Sequence, residues 1–215
     1  MSARIIAISA PPGGGKSTIA AALAERLGAA LVEYDAYDKL TERTPEEIAA
    51  WLAAGGAYDG VDVTDLVADL EALRDGGTIR DRRTGEELAA RALIVLETPF
   101  GRAHPAMAPL IETSLFLDTP PDVALARKVR EFVAQNLADP GPGGHKRFLV
   151  WLERYLRNYE AVTRPAIAIQ RQRVLPLADL VIPAADAERE AIVEQAVDFL
   201  VRRAARKAKP RKGAE

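Results

Sequence analysis

Cysteine is absent from the 215 residues, which excludes disulfides, a thiolate nucleophile and Cys-based zinc sites. Histidine is almost absent too: His104 and His145 stand alone, too few and too far apart for a His-rich metal centre. No long hydrophobic run occurs. The apolar stretch of Arg4–Ser9 stops at Pro11, far short of the ~20 residues a membrane span needs, and no signal-peptide cleavage pattern surrounds it. A cytoplasmic protein without a membrane partner is expected. Two nucleotide-switch signatures are missing as well, the Asn-Lys-x-Asp guanine-recognition stretch and a downstream Asp-x-x-Gly.

What is present is an ordinary globular composition, 48% apolar and 28% charged, at a length that suits one α/β domain. The net charge of −2 is unevenly placed. From Arg202 onward seven basic residues stand against one acid, Glu215, which leaves residues 1–201 at −8. The expectation is a domain over 1–203 followed by a basic, disordered solubilising tail over 204–215, with no nucleic-acid partner.

Short apolar runs alternate with helical patterns. Strands are expected at Arg4–Ser9, Ala30–Tyr34, Ala92–Leu96, Ser114–Leu117 and Leu180–Ile182. Helices are expected at Lys16–Leu27, after Thr44-Pro, from Asp62 or Thr64 to Leu73, and at Asp122–Gln135, 146–172 and Ala187–Val201. Ala92–Leu96 shows no polar alternation, as a central parallel strand covered on both faces should. Five strands interleaved with helices predict a doubly wound, mainly parallel α/β sheet whose ligand site lies at the carboxyl ends of its strands.

Ala10-Pro-Pro-Gly-Gly-Gly-Lys16-Ser17 fits the P-loop spacing, with Ala10 where Gly is usual, directly after one strand and at the start of one helix. Backbone N–H groups of such a loop converge into an anion nest, and the helix dipole adds about +0.5 charge there. Pro12, Gly13, Gly14, Gly15, Lys16, Ser17 and Thr18 are therefore the expected nucleotide-binding residues, with Lys16 reaching the terminal phosphates and Ser17 ligating Mg²⁺. Phosphoryl transfer to a hydroxyl also needs a carboxylate near the acceptor and an acid helping to hold Mg²⁺. Asp35 and Glu97, at the ends of the second and third strands, are placed for those roles.

These residues resemble the uridine kinase and phosphoribulokinase-like group of P-loop kinases. Tyr34-Asp35-Ala-Tyr37-Asp38 looks like that family's Asp-x-Phe-Tyr segment, Tyr58-Asp59-Gly-Val-Asp62 its next acceptor segment, and Leu93-Ile-Val-Leu-Glu97 its strand ending in Glu-Gly. The likeness covers roughly 4–185. It implies a catalytic role for Asp35, acceptor contacts from Asp35, Tyr37, Asp38 and Asp59, and a Mg²⁺-associated role for Glu97 beside Ser17 and Asp35. The sequence departs from uridine kinases at 79–86, where the aromatic platform and the His are missing, and at Thr98-Pro-Phe-Gly-Arg102, which adds a cation beside the acceptor pocket. Arg80, Arg82, Arg83 and Arg102 suit either an anionic acceptor or a charged surface hairpin.

A basic lid is expected over about 127–157, two helical ends joined by a Pro/Gly tip, with Arg127 and Arg130 lending charge to the transition state. Phe148, Trp151, Leu152 and Tyr155 share a helical face, read as packing within the lid or between copies of a homo-oligomer. The whole predicts an ATP- and Mg²⁺-dependent kinase, transferring the γ-phosphoryl group to a hydroxyl of a nucleoside-like or related small molecule. The alternative is a nucleotide-binding regulator or accessory NTPase without a small-molecule acceptor.

Overall fold

The computed structural model of the chain describes residues 2–40 and 43–208. Its central sheet has the strand order β2-β5-β1-β6-β7, every neighbouring pair parallel, with β1 at Arg4–Ser9, β2 at Ala30–Glu33, β5 at Leu93–Glu97, β6 at Ile111–Asp118 and β7 at Leu180–Pro183. Burial explains why these segments read as unbroken apolar runs. Ile6 and Ile8 face α1 (Lys16–Leu27) and α7 (Arg189–Ala208), together with Leu23, Val95, Val193 and Ala196. Ile5, Ala7, Ile94 and Leu96 face the opposite layer, where Leu66, Leu70 and Leu73 of α3 (Thr64–Arg74) are fully buried. Covered on both faces, such strands need no polar alternation.

Local chemistry sets the helix ends. Gly28 caps α1 in a left-handed conformation, its N–H reaching the carbonyls of Ala24 and Glu25. Thr44 and Glu47 form a reciprocal capping box at the start of α2 (Pro45–Ala53). The charged stretch between α3 and β5 forms a small antiparallel hairpin, β3 (Thr78–Arg80) with β4 (Glu87–Ala89), outside the main sheet. β6 begins at Ile111, three residues before the expected Ser114, and its added residues alternate buried and half-buried, with the polar Glu112 and Thr113 among them.

The segment expected to form a lid is a helical hairpin, α4 (Pro121–Ala138) and α5 (Gly144–Asn158). α5 continues through a π-turn at Tyr159–Thr163 into α6 (Arg164–Arg173), so the expected 146–172 helix is a single rod with a widened turn. Trp151 and Tyr155 of α5 lie edge-on to Phe132 of α4, at centroid distances of 4.8 and 5.1 Å, so these two rings pack within the hairpin, with Trp151 still 43% exposed. α7 extends to Ala208, five residues into the expected tail; 209–215 lie outside the described residues. Among the described residues no helix is long and apolar enough to cross a membrane.

At the amino ends of the strands, ion pairs close the sheet. Glu112 accepts from Arg4 and Lys207, and Asp179 pairs with Arg102 and Arg203. The Arg4 hydrogen bond lowers the Glu112 pKa. At Asp179 burial acts upward, but the Arg102 and Ser114 hydrogen bonds and the two guanidinium charges win and lower it. A carboxyl with a depressed folded pKa contributes stability above its unfolded value, about pH 4, and that contribution disappears as the pH falls through the folded value. Asp179→Asn is accordingly expected to flatten the acid limb of a stability-against-pH curve from urea unfolding. An unchanged slope would show that this network does not carry the acid sensitivity.

Candidate active site

The carboxyl ends of β1, β2 and β5 meet at one edge: Glu97 lies opposite Ile8 on one side and opposite Glu33 on the other. From that edge the chain turns through the P-loop into α1. Gly14 N–H closes the turn on the Pro11 carbonyl at 2.8 Å, and the Gly14 carbonyl accepts from the buried Thr119 hydroxyl at 3.0 Å. Gly13 and Gly15 have φ of +77° and +89°. A Cβ on Gly13 would stand 2.4 Å from the Ala124 carbonyl oxygen of α4, so the loop seats directly against the first turn of α4. Pro12, Ser17 and Thr18 are exposed, Ser17 and Thr18 on the first turn of α1.

Lys16 Nζ forms an ion pair with the Glu97 carboxylate, both nearly buried, with side-chain exposures of 12% and 1%. Beyond that pair, neither Glu97 oxygen receives a hydrogen bond among the described residues. A buried carboxylate held by one cation, beside the glycine loop that opens α1, is an acceptor with no hydrogen-bond donor of its own. Burial lowers the Lys16 pKa, opposed by the nearby Asp35 and Glu33 carboxylates. Among the described residues no cluster of three or more His, Asp and Glu forms a metal cage by itself.

Asp35 is exposed on the short 3-10 turn Tyr34–Tyr37 at the end of β2. Aromatic packing fixes that turn. The buried Tyr34 ring meets Phe100 edge-on at 4.9 Å, and Tyr58 packs on the same Phe100 at 4.8 Å, which brings Asp59, also exposed, onto the segment beside it. Two residues expected to touch the acceptor are engaged with the protein. Asp38 Oδ1 accepts from the Tyr34 hydroxyl at 3.1 Å and the Leu40 N–H at 2.7 Å, while the Tyr37 hydroxyl donates to Asp69 at 2.9 Å beneath the Arg82 guanidinium. Burial, reinforced by Asp38, pushes the Tyr34 hydroxyl pKa well up, and burial with Asp69 does the same for Tyr37. Both phenols are fixed protonated donors.

Two further expected residues lie elsewhere. Arg102 points to the amino end of the sheet, where its guanidinium donates to the carbonyls of Ile111 (3.1 Å) and Leu177 (3.3 Å) and to Glu112 and pairs with Asp179 at 2.7 Å. It is not a cation beside the acceptor. Arg127 donates to the carbonyls of Ala184 and Ala185 after β7, at 3.0 and 2.6 Å, and so pins α4 to that loop. Arg130 is exposed on α4. His104 is buried, with Nδ1 accepting from Ala106 N–H and Nε2 facing the Val61 carbonyl at 3.0 Å, an arrangement that holds the 61 segment in place.

The structure adds residues the sequence reading passed over. Glu33 pairs with Arg83 at 2.6 Å and lies beside Lys16; its register opposite Glu97 in the parallel pair, which the sequence does not display, sets the two acids side by side. Gln170 is 4% exposed and donates to the carbonyls of Ala10 (3.1 Å) and Pro99 (2.8 Å), so α6 grips the entry of the P-loop and the turn behind Glu97 together. A glutamine spaced between Ile167 and Val174 on an otherwise apolar helix stripe was the available signal.

No protein-family model and no curated protein matches the sequence. Solved structures match in three dimensions. The chain is similar to a shikimate kinase from Acinetobacter baumannii in complex with shikimate, with a TM-score of 0.52, 16% identity and 96% of each chain covered. It is also similar to a candidate fructose transport system kinase from Silicibacter sp., with a TM-score of 0.54, 20% identity, and 85% of this chain and 90% of that one covered. The fold is the α/β fold of P-loop kinases, a parallel five-stranded sheet flanked by helices.

Proposed function

We propose that the protein is an ATP-dependent phosphotransferase acting on a hydroxyl of a small molecule. The observation that carries this is the Lys16–Glu97 pair inside a glycine loop that opens α1, with Asp35 on the neighbouring strand end. The loop amides and the α1 dipole bind the donor phosphates. Lys16 exchanges the Glu97 carboxylate for phosphate oxygens, and Asp35 orients the acceptor hydroxyl and takes its proton. The acceptor oxygen bonds to the γ-phosphorus as the bond to the β-phosphate bridging oxygen breaks. ADP leaves with that electron pair, and Asp35 releases its proton to water. A Mg²⁺ ion fits the Glu97 carboxylate, once Lys16 has turned to the phosphates, and the exposed Ser17 hydroxyl, with Asp35 nearby, and when bound would supply positive charge to the phosphate oxygens. The α4–α5 hairpin, with Arg130 exposed on α4, serves as the lid that excludes water. The fold shared with a shikimate kinase and a candidate fructose transport system kinase supports this class of reaction.

Asp35 provides the test. Asp35→Asn keeps the size of the side chain and removes the proton acceptor, so acceptor-dependent ADP release should fall about 10²–10⁴-fold in kcat while Mg-ATP binding by calorimetry stays within error. Undiminished kcat in this variant would remove Asp35 from the mechanism.

A further inference from the structure

Ion pairs on the segments that flank Asp35 bear on the charge of the acceptor. Four arginines offer themselves in the sequence as seats for an anionic acceptor, and in the structure each is committed. Arg80 donates to the Gly85 carbonyl of its own hairpin at 2.9 Å. Arg82 reaches Asp69 at 3.2 Å and Asp65 at 3.4 Å and lies 4.8 Å above the Tyr37 ring. Arg83 holds Glu33, and Arg102 is at the far end of the sheet. Lys39 is shared between Asp62 and Asp65 at 2.7 and 3.6 Å. By contrast, neither Asp35 nor Asp59 has an ion-pair partner among the described residues.

Exposed pairs of this kind are individually weak, so Arg82 and Arg83 can swing. A phosphate or carboxylate that took them would nevertheless displace Asp65, Asp69 and Glu33 and leave those carboxylates beside it, with the Asp35 carboxylate already at the reacting hydroxyl. Like charges so placed repel, and the site discriminates by that repulsion as well as by attraction. Carboxylates also accept hydrogen bonds without donating, so free ones favour a molecule rich in O–H donors.

We infer that the acceptor is a polyhydroxyl compound without negative charge, and that phosphate esters and carboxylates are rejected by the acids that hold Arg82 and Arg83. This rests on the kinase reading above. The experiment uses matched pairs with Mg-ATP and the full chain: ribose and ribose 5-phosphate, uridine and uridine monophosphate, glucose and gluconate, read as acceptor-dependent ADP release. The expected result is turnover with an uncharged member and at least a 100-fold lower kcat/KM for its anionic partner. In Asp65→Asn/Asp69→Asn that ratio should narrow about tenfold, because Arg82 is released without the opposing charge. A preferred anionic member, or a ratio unmoved in the double variant, overturns the inference while the kinase reading stands. Silence with every pair, with Mg-ATP bound, overturns the kinase reading and this inference with it.

Discussion

Lys16→Ala is expected to abolish phosphoryl transfer and to weaken the fold at the same time. On the chemical side it removes a side chain that, on the proposed reading, neutralises the terminal phosphates, and loss of a single preorganised charge donor costs at least about 10²-fold in kcat. On the structural side it strands the Glu97 carboxylate, which is 1% exposed and has no other partner among the described residues. Removing one partner of a buried pair costs about 3–5 kcal/mol, because the remaining charge is uncompensated. Glu97→Gln should cost less stability than Lys16→Ala, since Lys16 keeps the Asp35 and Glu33 carboxylates nearby. Lys16→Met combined with Glu97→Gln should recover most of the stability and none of the activity. Urea midpoints and ADP release of these variants separate the two effects. Wild-type stability in Lys16→Ala would contradict the buried pair.

Gly13→Ala is expected to be the most damaging exchange within the loop. A left-handed backbone costs a residue with a Cβ roughly 1–2 kcal/mol, a penalty that Gly13 and Gly15 share. Nothing lies within 4 Å of a Cβ built on Gly15, whereas one on Gly13 would lie 2.4 Å from the Ala124 carbonyl. That neighbour is backbone in the first turns of α4, so relief requires the loop or the lid base to move, and overpacking adds about 1–3 kcal/mol. Thermal unfolding should show about 2–5 kcal/mol lost in Gly13→Ala and about 1–2 in Gly15→Ala, and ATP affinity should fall in Gly13→Ala even where the fold survives. Equal losses in the two variants would show that the close approach to α4 does not constrain the loop.

Features dictated by neighbouring residues were legible in the sequence. The P-loop was readable because its conformation follows from spacing and glycine within a few residues, and the strands because burial on both faces leaves an apolar run. Asp35 and Glu97 followed from being the acids at strand ends. Where a residue's partner is distant in sequence, reading failed. Arg102 is satisfied by carbonyls nine, ten and 75 residues away, Arg127 by carbonyls 57 and 58 away, and Gln170 by Ala10 at 160. A cation with free choice of partners looks the same in sequence whether it awaits a ligand or ties two elements together. Asp38 and Tyr37 sit in the right segment by resemblance, yet their polar atoms buttress the turn that presents Asp35.

On the proposed mechanism a γ-phosphoryl group passes from ATP, held at Gly13–Thr18, to a hydroxyl oriented by Asp35. This transfer is tested most directly by incubating the protein with Mg-ATP carrying a labelled γ-phosphoryl group and a mixture of polyhydroxyl acceptors, then locating the label. Label is expected on an acceptor hydroxyl in stoichiometry with ADP, and is expected to be lost in Lys16→Ala and Asp35→Asn. Label found only in inorganic phosphate, or remaining on tightly bound ATP in the presence of every acceptor, would contradict it.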